Sequence, residues 1–184
     1  MSGLLFHREY LDGLERQVVE AFGRWAVEGP FPLRLLGGWR RPGIPPTKQL
    51  VELGLPLLTP DRRPWPSLQR ALFAAGRSRA PDESSTAHGR GAAADAAPAR
   101  VVQGHCAGIY LPGDGPEALE RFESYGTFME RAGLVWGGRF LKTFPPTAKN
   151  PRGGDLPHVE MKTWRSLVYP PPLITPYPYP EGAP

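Results

Sequence analysis

The chain has 184 residues, enough for one domain with its own hydrophobic core. Its 24 prolines and 22 glycines exclude an architecture of long helices and strands. The net charge of +4 favours anionic surfaces, but the basic residues are dispersed and form no nucleic-acid recognition motif, so no nucleic-acid partner is expected. No apolar run could span a bilayer, and the first residues do not form a signal peptide. We therefore expect a soluble monomer, made in the cytoplasm, in which the single Cys106 has a buried structural role.

The N-terminal part is typical of an amphipathic helix followed by a strand. Residues 4–28 carry apolar side chains at helical spacing, and Gly29-Pro30 ends the pattern. The apolar positions are Leu11, Leu14, Val18, Phe22 and Trp25. Phe31 to Leu36 alternates weakly and predicts the strand.

Proline dominates the next stretch. Residues 42–67 contain seven prolines and predict an irregular insertion, which is either functional or decorative. Residues 66–76 predict a short helix that buries Leu68, Leu72 and Phe73 and stops at Gly76.

Two separated segments carry residue types that suit a metal ion. His88 and Asp95 stand seven residues apart with only glycine, alanine and arginine between them, and His158 follows Asp155 by three positions. Two glycines so close together disfavour a helix, so a loop leading into a buried strand is expected after His88. Imidazole nitrogen and carboxylate oxygen both bind Zn²⁺. A hydrogen-bonded structural histidine is the commoner alternative for either segment alone.

Between these segments the pattern predicts strands and one helix. Residues 96–110 should contain one or two strands with core residues Val101, Val102, Ile109 and Tyr110. Residues 116–132 predict a helix with Gly133 just after its end. Strands are expected at 134–140 and 155–161, the latter beside the Asp95 segment.

These motifs resemble a known family. The pattern (Ser/Thr)-x-His-x-x-Gly-x-Ala-x-Asp, followed by (Asp/Glu)-x-x-His, resembles the zinc D-alanyl-D-alanine carboxypeptidases. The variant Asp-x-Pro-His-x-Glu, at 155–160, is most similar to L-alanyl-D-glutamate peptidases such as phage endolysins. The segment Gly-Leu-Val-Trp-Gly-Gly at 133–138 is similar to theirs as well. The resemblance covers roughly residues 10–168.

The resemblance implies a fold and a domain organisation. It implies one small α+β domain of the Hedgehog/DD-peptidase type, with a central, mostly antiparallel sheet flanked by helices. This domain would span residues 1–169 and include the insertion at 42–67. Residues 170–184 are rich in proline and predict an extended tail.

The resemblance also implies a site and a reaction. His88, Asp95 and His158 would hold Zn²⁺, while Asp155 would act as the general base. Arg40 matches an arginine that points into the family's active site.

Two rival assignments stay open at this point. Arg63 is the alternative arginine, and Glu160 is the next candidate for the base. His7 and His105 should lie away from the metal.

The implied substrate is the stem peptide of peptidoglycan, cut at an L-alanyl-D-glutamate or D-alanyl bond. An endolysin would act on the wall after release and contact anionic cell-wall or outer-membrane surfaces. A virion-associated hydrolase and a non-catalytic structural or binding protein are the alternatives.

Overall fold

The computed structural model describes residues 3–40, 45, 47–167 and 169. The predicted tail at 170–184, and residues 42–44 and 46 of the predicted insertion, lie outside these residues. The helices are α1 (Arg16–Glu28), α2 (Thr47–Glu52), α3 (Leu68–Ala74) and α4 (Pro116–Arg131), and the strands are β1 (Leu5–Phe6), β2 (Leu33–Gly37), β3 (Ala93–Val102), β4 (His105–Ile109), β5 (Leu134–Trp136) and β6 (His158–Met161).

The described strands form one mixed sheet of six strands. Its order is β1-β2-β3-β6-β5, and β4 pairs with the far end of β3. Strand β1 runs parallel to β2, and all other pairs are antiparallel. The predicted α+β class with a mostly antiparallel sheet is therefore confirmed.

Strand β3 is the long central strand on which the sheet is built. Its first residues pair with β6, its middle with β2 and its last four residues with β4. The alanines of β3 are fully buried, and their small side chains leave room for aromatic rings from α1 and α4. Trp25 and Tyr125 meet there edge to face, with ring centroids 5.8 Å apart.

The N-terminal helix is shorter than the sequence pattern predicts. Residues 4–15 form β1, a 3-10 turn at Arg8–Leu11 and a loop, and α1 begins only at Arg16. Gly13 takes φ +76°, a left-handed conformation that interrupts a right-handed helix. Leu11 and Leu14 are nevertheless buried, because a 3-10 turn followed by a loop presents the same apolar face to the core.

The Pro-rich region is more regular than expected. It contains α2, and this helix shares a small second core with α3. The buried members of this second core are Leu50, Leu55, Trp65, Leu68, Ala71 and Leu72. Helix α3 confirms the predicted short helix, and Gly76 follows it with φ +68°. Phe73, predicted to be buried, is 43% exposed.

The hairpin β3–β4 carries fewer core residues than predicted. Val102 is 60% exposed, and Val101, Ile109 and Tyr110 are only half-buried. Cys106 is also half-buried rather than buried.

The C-terminal strands are shorter than predicted. Strand β5 ends at Trp136, where Gly137–Arg139 turns into a 3-10 helix, and β6 begins only at His158. Helix α4 matches the predicted helix, and Gly133 follows it with φ +87°. Over the residues described, no helix is long and apolar enough to cross a membrane.

Candidate metal centre

Strand pairing brings two predicted ligands directly opposite each other. Asp95 on β3 pairs with His158 on β6, and residues opposite each other in an antiparallel pair point to the same face of the sheet. The Asp95 Oδ1 atom lies 3.0 Å from His158 Nδ1.

His88 reaches the same carboxylate from a loop. Its Nε2 lies 3.1 Å from Asp95 Oδ1, and its ring centroid lies 5.1 Å from that of His158. The loop is held by a hydrogen bond from the Arg40 amide to the His88 carbonyl oxygen, 3.1 Å long. Gly89 must be glycine, because a Cβ there would lie 2.0 Å from the Glu83 carbonyl oxygen.

Among the residues that the structure describes, these three form a group of side chains that could hold a metal ion. Their ligand atoms all lie within 4.8 Å of one another. Two ligands of a tetrahedral zinc ion stand about 3.3 to 3.4 Å apart. The distances of 3.0 and 3.1 Å from the Asp95 oxygen to the two imidazole nitrogens are close to this value. His7 and His105 contact Glu9 and the Gln103 carbonyl oxygen instead and do not belong to this group.

The outer nitrogen of each imidazole is also fixed. His88 Nδ1 lies 2.9 Å from the Gly38 carbonyl oxygen. A carbonyl oxygen only accepts, so Nδ1 carries the proton and Nε2 is left as the ligand. His158 Nε2 lies 3.1 Å from Glu160 Oε2, which leaves Nδ1 as the ligand. Hydrogen bonds of this kind orient histidines in metal sites, so the residues present fit a zinc ion.

Glu160 has a role that the sequence interpretation missed. Its other oxygen, Oε1, accepts a hydrogen bond of 3.1 Å from Trp164 Nε1. The carboxylate is therefore held between the indole and His158. The signal was present in the sequence, because His158 and Glu160 are two apart on a strand and so share a face.

The electrostatics of the cluster favour a cation at its centre. Burial opposes ionisation of Asp95, but the neighbouring His88 and the hydrogen bond from His158 hold the pKa of its carboxyl well below the usual range. Burial disfavours the charged form of His158, yet hydrogen bonds to Asp95 and Glu160 raise the pKa of its imidazole to about 10. Burial lowers the pKa of His88, which suits a neutral ligand.

Asp155 stands beside the three ligands on a tight turn. The His158 amide donates to the Asp155 carbonyl oxygen, 3.0 Å away, so residues 155–158 turn before β6 starts. In a continuous strand, the side chains of residues 155 and 158 would point to opposite faces of the sheet. The turn removes this constraint. Burial and the charge of Asp95 raise the pKa of Asp155 to about 6.

The predicted glycine and tryptophan segment builds this turn. A Cβ on Gly137 would lie 2.3 Å from the Asp155 carbonyl oxygen, so only glycine fits there. The Asp155 amide donates to the Gly137 carbonyl oxygen, and Trp136 Nε1 donates to that of Leu156, 2.8 Å away. Trp136 is fully buried and therefore supports the site without lining it.

Of the two candidate arginines, Arg40 lies at the site. The charges of Asp95 and Asp155 act on its guanidinium, and Nη1 donates to Gln69 Oε1 at 2.8 Å. Arg63 is exposed and pairs with Asp61 on the surface, with 3.3 Å between Nε and Oδ2.

Comparisons with known proteins were made with family models, curated proteins and solved structures. No protein-family model and no curated protein matches the chain. Among solved structures, the chain is similar to the L-Ala D-Glu endopeptidase ChiX of Serratia marcescens, with a TM-score of 0.45 and 17% identity over 86% of this chain and 90% of that one.

Replacing Glu160 tests whether it orients His158. We expect Glu160→Ala to weaken zinc binding by roughly 10- to 100-fold, because His158 loses the partner that fixes its ring. Glu160→Gln keeps an oxygen acceptor and should weaken binding less. Zinc affinity is measured by competition with a chelator, with Glu117→Ala as the surface control. Equal affinity in all four proteins would contradict this role.

Zinc binding should also release a proton. With its pKa at about 10, His158 is protonated at neutral pH before metal binds, and a ligand nitrogen must be deprotonated. The affinity should therefore rise about tenfold per pH unit between about pH 7 and 9. Calorimetry in buffers of different ionisation enthalpy measures the released proton. An affinity that does not change with pH would show that His158 is neutral beforehand or is not a ligand.

Proposed function

We propose that this protein is a zinc-dependent peptidase that hydrolyses the stem peptide of peptidoglycan. The observation that supports it is the convergence of His88, Asp95 and His158 around one point, with the buried Asp155 beside them. The same residues carry the motif resemblance to the L-alanyl-D-glutamate and D-alanyl-D-alanine peptidases. A purely structural site would not need a fourth residue, with a strongly perturbed carboxyl, beside the three metal ligands.

Zinc supplies the electrophile in this chemistry: when bound, it polarises the scissile carbonyl and lowers the pKa of a coordinated water. Three protein ligands suit catalysis, because a structural zinc site usually closes its shell with four. The Asp95 side chain is 24% exposed, against 6% for His88 and 11% for His158, so the cluster opens to solvent at the carboxylate.

Asp155 is the proton carrier in the proposed reaction. It accepts a proton from the attacking water and returns it to the amine of the departing residue. A carboxyl with a pKa of about 6 suits both steps better than an ordinary aspartate, because it is a stronger base that still ionises near neutral pH and can therefore both take up and return the proton.

Arg40 binds the substrate. Its guanidinium offers five N–H donors, of which one is directed at Gln69. The remaining donors can hold a substrate carboxylate or the developing oxyanion through charge-assisted hydrogen bonds. Stem peptides contain both a D-glutamyl carboxylate and a terminal carboxylate, and either fits this group.

The biological setting is a further proposal. The motif variant at 155–160 is most like that of phage endolysins, and we propose that the protein reaches the cell wall after release from the cytoplasm in which it is made. The net charge of +4 would favour binding to an anionic wall.

Replacing Asp155 tests the proton carrier. Asp155→Asn should retain zinc near wild-type occupancy, while hydrolysis of purified peptidoglycan falls by at least about 10²-fold, the usual effect of losing a general base. The matched control is Asp114→Asn, which changes a surface carboxylate paired with Arg100. A variant that loses its zinc would make Asp155 a ligand, and one that keeps full activity would make another group the base.

The cleaved bond can be identified from the products. Digested peptidoglycan is labelled at new amino termini and analysed by mass spectrometry. We expect either a new D-glutamyl amino terminus or the loss of a D-alanine. Intact stem peptides after incubation with zinc-loaded enzyme would contradict the proposed function.

A further inference from the structure

We propose that Gln69 is a positioning residue that holds the Arg40 guanidinium in place, and that the segment 47–80 serves to keep this amide there. The proposal rests on the proposed function, in which Arg40 binds the substrate. It gives the Pro-rich region a role in the site. The sequence alone left open whether this region is functional or decorative.

The amide of Gln69 is fixed in a single orientation. Its side chain is fully buried, and Nε2 donates to Ser78 Oγ at 2.5 Å and to the Ala80 carbonyl oxygen at 2.6 Å. Because the Ala80 oxygen can only accept, the NH₂ end of the amide must face it. Oε1 then points to Arg40 Nη1, 2.8 Å away.

A buried amide is an unusual choice for this position. Gln69 lies on α3 between residues of the second apolar core, and an unpaired polar group in such a place is unfavourable. An apolar side chain would fill the same space without that penalty. The amide has hydrogen-bond partners at both of its ends, and the partner at its oxygen end is Arg40.

Gln69 gives Arg40 a neutral hydrogen-bond partner in place of a carboxylate. Asp95 and Asp155 both attract the guanidinium. An ion pair with Asp95 would compete with metal binding, and one with Asp155 would compete with its role as the proposed base. A neutral amide oxygen holds one N–H group without cancelling the positive charge. The Arg40 backbone is meanwhile tied to the His88 carbonyl oxygen, so both ends of this residue are fixed relative to the ligands.

The segment 47–80 is folded so as to hold α3. Helices α2 and α3 share the second core, and Trp65 Nε1 donates to the Pro56 carbonyl oxygen at 2.8 Å. The Arg77 guanidinium hydrogen-bonds the Leu53 carbonyl oxygen across the segment. Ser67 caps the start of α3 through the Arg70 amide. These contacts connect residues 53–56 to residues 65–77 and so hold the helix that carries Gln69.

The test is a double-mutant cycle between positions 69 and 40. Gln69→Met keeps the volume and removes the hydrogen bonds, and we expect kcat/KM on peptidoglycan fragments to fall on the order of 10- to 100-fold. Zinc content should stay at the wild-type level. In the Arg40→Ala background, Gln69→Met should cause no further loss, because its effect acts through the arginine. Gln17→Met is the matched control, since this half-buried glutamine likewise donates its amide to a carbonyl oxygen, that of Gly133.

Additive losses in the cycle would overturn the proposal, because Gln69 would then act on stability alone. Unchanged kcat/KM in Gln69→Met would overturn it as well. If Gln69→Met does not fold, Gln69→Asn replaces it. That variant keeps an amide but is one methylene too short to bond Arg40 and Ala80 together, and the same non-additivity is expected.

A second readout separates this proposal from the proposed function. The ¹⁵N NMR signal of the Arg40 Nε–H group, assigned by its absence in Arg40→Ala, reports how firmly the guanidinium is held. It should be sharp in the wild type and broadened in Gln69→Met. If the wild type hydrolyses no peptidoglycan but this change is seen, positioning holds and the proposed function fails. A signal that is the same in both proteins overturns the positioning role whatever the activity.

Discussion

The site depends on the pairing of Asp95 with His158 across two adjacent strands. This register places a carboxylate and an imidazole on one face, 3.0 Å apart, and His88 then reaches the same oxygen from its loop. A shift of one residue would send one of the two side chains to the opposite face. The turn that sets Asp155 also ends where β6 begins, so the proposed base depends on the same register.

The two buried imidazoles are stable in this place because the outer nitrogen of each has a hydrogen-bond partner. His88 is satisfied by the Gly38 carbonyl oxygen, and His158 by Glu160, which Trp164 holds in turn. These partners leave the inner nitrogens directed at Asp95. Without a metal, an extra proton on His158 balances the charge of the carboxylates. A zinc ion would replace that proton with a stronger positive charge at the same place, which is why the cluster suits a metal.

The sequence predicted the members of the candidate site better than the supports around it. His88, Asp95, Asp155 and His158 stand in two short motifs, and the resemblance of these motifs to a known family singled them out. Gln69 was missed because its contact with Arg40 spans 29 positions and depends on how the Pro-rich segment folds. The α+β class was confirmed, but the helix expected at 4–28 was wrong in its first half, where a 3-10 turn and a left-handed Gly13 satisfy the same apolar pattern.

The central claim is that His88, Asp95 and His158 bind one zinc ion. Anomalous diffraction from zinc-loaded crystals, recorded on both sides of the zinc absorption edge, tests it most directly. The account predicts a single strong peak about 2.0 to 2.2 Å from His88 Nε2, His158 Nδ1 and an Asp95 oxygen, with Asp155 outside that distance. A peak elsewhere, or no peak at the cluster in fully loaded protein, would contradict the account.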